Sequence, residues 1–298
     1  MRKISALILS LVLVVSAIYV PAFSADAEWI SAEEMELLCA LEIIPDSNLS
    51  DGQLNAHLTR AEAAKYFCNI LDLDIADPTG FESIFYDVTS ETPYYKYIST
   101  ICRAGFMQGD GNGRFRPNAP ISTMEAARVL TSLIGYKGYI AVSSLETVVN
   151  KTGVTDGVSV VSELEFGQFL KMVQNILYAP ACRETGYGKT ISFEISEDCL
   201  GSEYLFDVVK ANGIVDGIQA TSLTDAGSTM QDGNISVSGT IHGYTADAAE
   251  LLGYAVDYYY KNDIDSKDIV YIKKSDKNKV TILNYDEIIR YSGLEYEY

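Results

Sequence analysis

The sequence predicts an α+β molecule: an N-terminal all-α bundle of three helical repeats over residues 29–181, then a small α+β domain over 190–298 with a mostly antiparallel sheet. Three observations predict it. A helix opener recurs around Glu62, Glu125 and Gln168, apolar residues follow each opener at helical spacing, and alternating β-branched and aromatic runs begin after residue 190.

The first element is a leader. Arg2 and Lys3 precede an uncharged apolar run from Ile4 to Val20, with small residues at Ala22, Ser24 and Ala25. That is the layout of a secretory signal peptide over residues 1–24. The run falls just short of the roughly 20 residues a membrane helix needs, so the expected mature chain is secreted and has no membrane span.

The repeats come next. Leu58-Thr59-Arg60-Ala61-Glu62-Ala63-Ala64 aligns with Ile121-Ser122-Thr123-Met124-Glu125-Ala126-Ala127. In each, a hydroxyl residue stands three positions before a Glu, the pattern of a capping box. Glu62 and Glu125 therefore read first as caps. A third copy, Leu164-Glu165-Phe166-Gly167-Gln168-Phe169-Leu170, opens a helix continuing through Val173, Ile176 and Leu177. Shorter helices are expected ahead of the openers, at Ala32 to Leu41, Tyr95 to Ala104 and Leu145 to Lys151. Turns such as Gly109 to Gly113 join them, and Asp110 reads as a turn former. These units divide as residues 29–75, 81–136 and a shortened 137–181.

After residue 190, Thr190 to Ile195, Ile235 to Ile241, Ala255 to Tyr260, Ile269 to Lys273 and Val280 to Leu283 read as strands. Ala246 to Leu252 reads as a short helix stopped by Gly253.

Composition limits the partners. The 298 residues carry 22 bases, two of them in the leader, against 41 acids, for a net charge of -19. Nucleic acid and anionic lipid are poor partners for the whole surface. An anionic ligand needs locally placed cations. Cys39, Cys68, Cys102, Cys182 and Cys199 form no CxxC and there are only two His, so no zinc site, other metal or cofactor is expected. Most of these thiols read as buried, with Cys182 and Cys199 left open as a disulfide pair.

The stretch from Phe85 to Leu133 carries the most information. It runs Phe85-Tyr86-Asp87-Val88, Tyr94-Tyr95, a helix from Ile98, then Gly105-Phe106-Met107-Gln108-Gly109-Asp110-Gly111-Asn112-Gly113-Arg114-Phe115-Arg116-Pro117-Asn118, and the second opener. This order resembles an S-layer homology module, strongly in 81–136, partly in 29–75, weakly in 137–181. The part after residue 190 resembles segments that follow such modules in clostridial surface proteins.

The resemblance implies a three-lobed helical region whose grooves hold a secondary cell-wall polysaccharide, often bearing a pyruvate ketal. Its carboxylate meets the Arg of a Thr-Arg-Ala-Glu motif, a role suited to a planar guanidinium. Only Thr59-Arg60-Ala61-Glu62 keeps that motif; Thr123 and Phe166 stand at the Arg position in the other copies. On this basis the expected ligand-binding residues are Arg60, Thr59 and Glu62, with Asp110, Tyr94, Tyr95 and Arg114 from the middle module. The implied protein is a non-enzymatic surface anchor on the cell wall of a Gram-positive bacterium.

Other chemistry finds little purchase. Asp110-Gly111-Asn112 begins like a calcium loop, but Arg114 and Ile121 stand where oxygen ligands belong. No nucleophile or zinc-hydrolase motif is present. The alternatives are a structural surface-layer subunit whose modules pack against other surface-layer proteins, and, third, a cell-wall glycan hydrolase.

Overall fold

The computed structural model describes residues 29–75, 84–186, 191–223, 230–263, 267–278, 290–292 and 295–297. The expected leader and the expected strand from Val280 to Leu283 lie outside these residues. Among the described residues, no helix is long and apolar enough to cross a membrane.

The helical part runs through α1 (Ala32–Ala40), α2 (Asp51–Leu54), α3 (Arg60–Ile70), α4 (Tyr95–Arg103) and α5 (Thr123–Thr131). A π-helical turn (Ser132–Tyr136) leads into α6 (Lys137–Val142), α7 (Leu145–Thr152) and α8 (Phe166–Tyr178). The main starts are dictated locally. Thr59 and Ser122 accept the backbone N–H of Glu62 and Glu125, and each carboxylate accepts the cap residue's own N–H in return. At α8 the Gln168 side chain accepts the Glu165 N–H at 3.2 Å.

The residue ahead of each cap joins a ring. Leu58 N–H donates to the Leu164 carbonyl, Leu164 N–H to Ile121, and Ile121 N–H to Leu58, each at 2.9 Å. All three side chains are buried, so these backbone groups satisfy one another where water is excluded.

The described residues after α8 are mostly strand. A hairpin of β1 (Pro180–Thr185) and β2 (Ser192–Leu200) leads into α9 (Gly201–Phe206) and the long β3 (Val208–Ile218). Then come β4 (Thr221–Ser222), β5 (Asn234–Val237), β6 (Thr240–Gly243), β7 (Ala255–Lys261) and β8 (Ile269–Lys274), with β9 (Arg290–Ser292) pairing β10 (Glu295–Glu297). The main sheet is antiparallel in the order β6-β5-β3-β7-β8, with β4 against β3.

The expected three-repeat all-α bundle with a small separate domain is corrected by this arrangement. The observed fold is α+β, with part of the antiparallel sheet packed into the helical core and a second, smaller cluster built by the sheet from Val215, Ile218, Ile235, Val237, Val256 and Tyr258. Val208 and Tyr259 of the sheet belong to the same buried cluster as Leu58, Ile121 and Leu164. The physical reason lies at the π-helical turn. Gly135 has φ 93°, and a Cβ there would meet the Cys182 carbonyl oxygen at 1.8 Å, so β1 lies directly on the turn. The buried Tyr136 donates its hydroxyl to the Pro180 carbonyl at 2.9 Å, and Phe193 of β2 packs edge-on against Tyr139 at 5.6 Å. Residues 137–181 supply only short helices besides α8, and the hairpin covers the face they leave.

Smaller expectations also shift. The run from Ile235 to Ile241 is two strands folded about Ser238 and Gly239, both at positive φ. Ala246 to Leu252 holds only a 3-10 turn (Ala249–Leu251). All five cysteines are free, so Cys182 and Cys199 form no bridge. Burial pushes the Cys68 and Cys102 thiols up to about 12, which leaves them unreactive near neutral pH.

Candidate functional site

Arg60 is the first residue after the Thr59 cap, and it is only 4% exposed. Its backbone N–H donates to the Ala119 carbonyl, and that of Ala61 to Pro117, docking the start of α3 on the segment before α5. The guanidinium then reaches across. Nε donates to the Phe115 carbonyl, Nη2 to the Gln108 carbonyl, and Nη1 to Glu125 Oε1, each at 2.8 Å. Its carbon stands 4.8 Å from the centre of the Phe115 ring. Every arm of the fork is therefore engaged, which is how a buried cation is tolerated.

Glu125 works twice. Oε2 accepts the Ser122 N–H at 3.0 Å and the Ser122 hydroxyl at 2.9 Å, while Oε1 takes Arg60. Burial pushes its carboxyl up, but the Ser122 bonds and the nearby Arg60 charge outweigh this and hold it below its ordinary value. Burial lowers the Arg60 guanidinium against the pull of Glu125. It stays a cation at any physiological pH.

These groups form one wall of a pocket of about 390 Å³. Gln108, Arg128 of α5 and Lys137 of α6 complete its polar surface, with Phe106 among the apolar lining residues. Lys137 is exposed, donates to the Ala104 carbonyl at 3.2 Å and lies 4.8 Å from the Phe106 ring centre. Gly109 is needed for the loop's tight path, since a Cβ there would meet the Arg114 carbonyl and the Phe85 ring at 2.5 Å each. Among the lining residues, three cations face one carboxylate.

Of the residues singled out in the sequence, Arg60 lines this pocket and the other six do not. Thr59 and Glu62 close their own capping box, with Thr59 N–H on Glu62 Oε2 at 2.9 Å and Glu62 N–H on Thr59 Oγ1 at 3.2 Å. Asp110 Oδ1 accepts the N–H of Asn112 and Arg114 at 2.8 and 3.2 Å, so it shapes the turn. Arg114 lies over the Tyr86 ring at 5.1 Å and donates to its hydroxyl. Tyr94 caps α4 at φ 61° with its ring against Tyr97, and Tyr95 packs on the core. Sequence reasoning missed Arg128, Lys137 and the Arg60 to Glu125 pair. Arg128 carried a usable signal, one helical turn after Glu125; Lys137 carried none.

Residues 84–127 match the S-layer homology domain. The chain is also similar to the surface-layer 125 kDa protein of Lysinibacillus sphaericus, 31% identical over 147 residues. That alignment covers 46% of this chain and 12% of the surface-layer protein's length. The domain match falls on the single unit holding α4, the 105–118 loop and the start of α5. It includes Gln108, Phe115 and Glu125, three of the groups that receive Arg60. One matched region, not three, is what the family comparison supports.

Proposed function

We propose that this cell-surface protein, which carries an S-layer homology domain, is a non-enzymatic anchor that holds an acidic secondary cell-wall polymer in the Arg60 pocket. The observation that carries the reading is the local sign of charge. A chain with 22 bases and 41 acids gathers Arg60, Arg128 and Lys137 around one concavity facing only Glu125. In an acidic protein such a pocket selects carboxylate or phosphate groups. Arg60 sets the floor, while the exposed Arg128 and Lys137 are the cations a ligand would meet.

The reading includes export by the leader and residence on the wall of a Gram-positive cell. Its test is co-sedimentation of the mature protein with purified sacculi, before and after the acidic polymer is chemically stripped. Binding lost on stripping, and lost again in Arg128→Ala with Lys137→Ala, supports the pocket. Binding that survives both overturns it and turns attention to assembly with other surface proteins.

A further inference from the structure

The chain contains two Asn-Gly steps, Asn112-Gly113 and Asn212-Gly213. In such a step the glycine nitrogen is a nucleophile for the asparagine side-chain carbonyl, and with no Cβ on the glycine little shields the approach. The local backbone decides whether the two atoms meet. Here the two steps lie in opposite settings.

Asn112-Gly113 stands at the tip of the 105–118 loop, with both residues exposed. The Asn112 N–H donates to Asp110 Oδ1 at 2.8 Å. Its side-chain amide, however, has no hydrogen-bond partner among the described residues, and neither has the Gly113 N–H. Gly111 and Gly113 on either side have φ 81° and 78°, and a Cβ at Gly111 would meet nothing within 4 Å. No ladder bond or neighbour has to be broken for the amide to turn onto the Gly113 nitrogen.

Asn212-Gly213 lies inside β3. Asn212 pairs with Asp257 and Gly213 with Val256 of β7. Val237 and Ser238 close over Gly213, where a Cβ would meet each of their side chains at 2.7 Å. The rotation that attack requires would open the ladder, so the sheet protects this copy.

We propose that Asn112 is a site of spontaneous modification, converting to aspartate and isoaspartate through a ring closed by the Gly113 nitrogen. That nitrogen loses its proton to base and bonds to Asn112 Cγ. The Cγ–Nδ2 bond breaks, and ammonia leaves carrying the proton. Water then opens the succinimide ring. Addition at Cγ restores the original main chain with an aspartate, and addition at the main-chain carbonyl gives isoaspartate, whose backbone runs through Cβ and Cγ. The sum is asparagine plus water giving the acid plus ammonia, with nothing oxidised or reduced.

The chemistry does not depend on the anchoring role, but its position gives it a consequence. Asp110 Oδ1 accepts the N–H groups of Asn112 and Arg114, and the Asp110 N–H donates to the Arg114 carbonyl, so these bonds span the altered link. Isoaspartate lengthens that link and adds a carboxylate beside Asp110. The Gln108 and Phe115 carbonyls, both acceptors for Arg60, flank the same tip. Conversion therefore loosens the hold on Arg60.

The test ages the full mature chain in mildly alkaline buffer, folded and in urea, and locates the products by peptide mass mapping with isoaspartate detected by its methyltransferase. In the folded chain Asn112 should convert to both acids, with Asn212 at least about tenfold slower because β3 must open first. In urea the two rates should converge. Folded-state conversion of Asn112 no faster than that of Asn212 overturns the proposal, as does aspartate formed with no isoaspartate. The converted chain should melt about 2 °C lower, while Asn112→Gln, whose longer side chain must close a larger and slower ring, should age with Tm unchanged. Full conversion with no fall in Tm overturns the link to Arg60.

Discussion

Arg60 and Thr123 stand at the same place, one residue past a hydroxyl cap and two before a capping glutamate. Each uses its backbone N–H in the same way, Arg60 on the Ala119 carbonyl and Thr123 on Val161. The side chains then diverge. Arg60 spans to Phe115, Gln108 and Glu125 and leaves a pocket beside it. Thr123, fully buried, donates to the Ser159 carbonyl and accepts the Val161 N–H, both at 3.0 Å, closing directly onto backbone. The third position repeats the docking, with Phe166 N–H on the Ala56 carbonyl, and fills its space by stacking on Tyr66 at 5.0 Å. The common register is set by backbone, and the side chain at this position decides whether the space beside it is filled or left open.

The sharpest way to break the contrast is Arg60→Met, which keeps length and removes the fork. It leaves the Glu125 carboxylate and two carbonyls without their donor, an expected loss of about 3 kcal/mol, at the low end for a buried pair because Glu125 is 44% exposed. Urea unfolding measures it, and sedimentation with sacculi should fail in the same variant. Thr123→Arg tests the reverse. With no space at a 0% exposed position, it should lose about 2 kcal/mol by overpacking. A stable variant with a second wall-binding site would show that the difference is side-chain choice alone.

Cap removal should weaken both openers. Thr59→Ala and Ser122→Ala should each cost about 1 kcal/mol in denaturant melts, with Ser122→Ala the worse because it also frees the carboxylate that Arg60 needs. Acidification probes the second opener. A carboxylate held below its ordinary value contributes stability that is present above the unfolded value and is lost as pH falls through the folded one. For Glu125 that window opens below its ordinary 4.5. Tm should drop on acidification through this range, and less steeply in Glu125→Gln. The smallest stability effects belong to Arg128→Ala and Lys137→Ala, expected within about 0.5 kcal/mol, and this makes them the cleanest probes of binding.

What could be read from the sequence follows from distance along the chain. The capping boxes at Thr59 and Ser122 involve partners three residues apart and were legible, as were α1, α4 and α7 to within a residue or two. The burial of Arg60 was not, because its acceptors lie 48, 55 and 65 residues away; the motif marked the residue and gave it to a ligand. The β1 to β2 hairpin was read as the edge of another domain because nothing in Pro180 to Leu200 announces that the π-helical turn needs covering. Asp87, whose carboxylate accepts the Phe115 and Arg116 N–H groups at 2.8 Å each, stood in the sequence only as one residue of the run from Phe85 to Val88.

The ring of bonds through Leu58, Ile121 and Leu164 sets an order of events. Its last member cannot engage until the chain has emerged past residue 164, so during synthesis from the N-terminus the first two openers wait with a donor or acceptor unmet. Closure of such distant contacts is slow and all-or-none. A chain cut ahead of Leu164 would lose the closing link rather than one third of the structure, and the early helices would remain open to chaperones or proteases until the late one arrives.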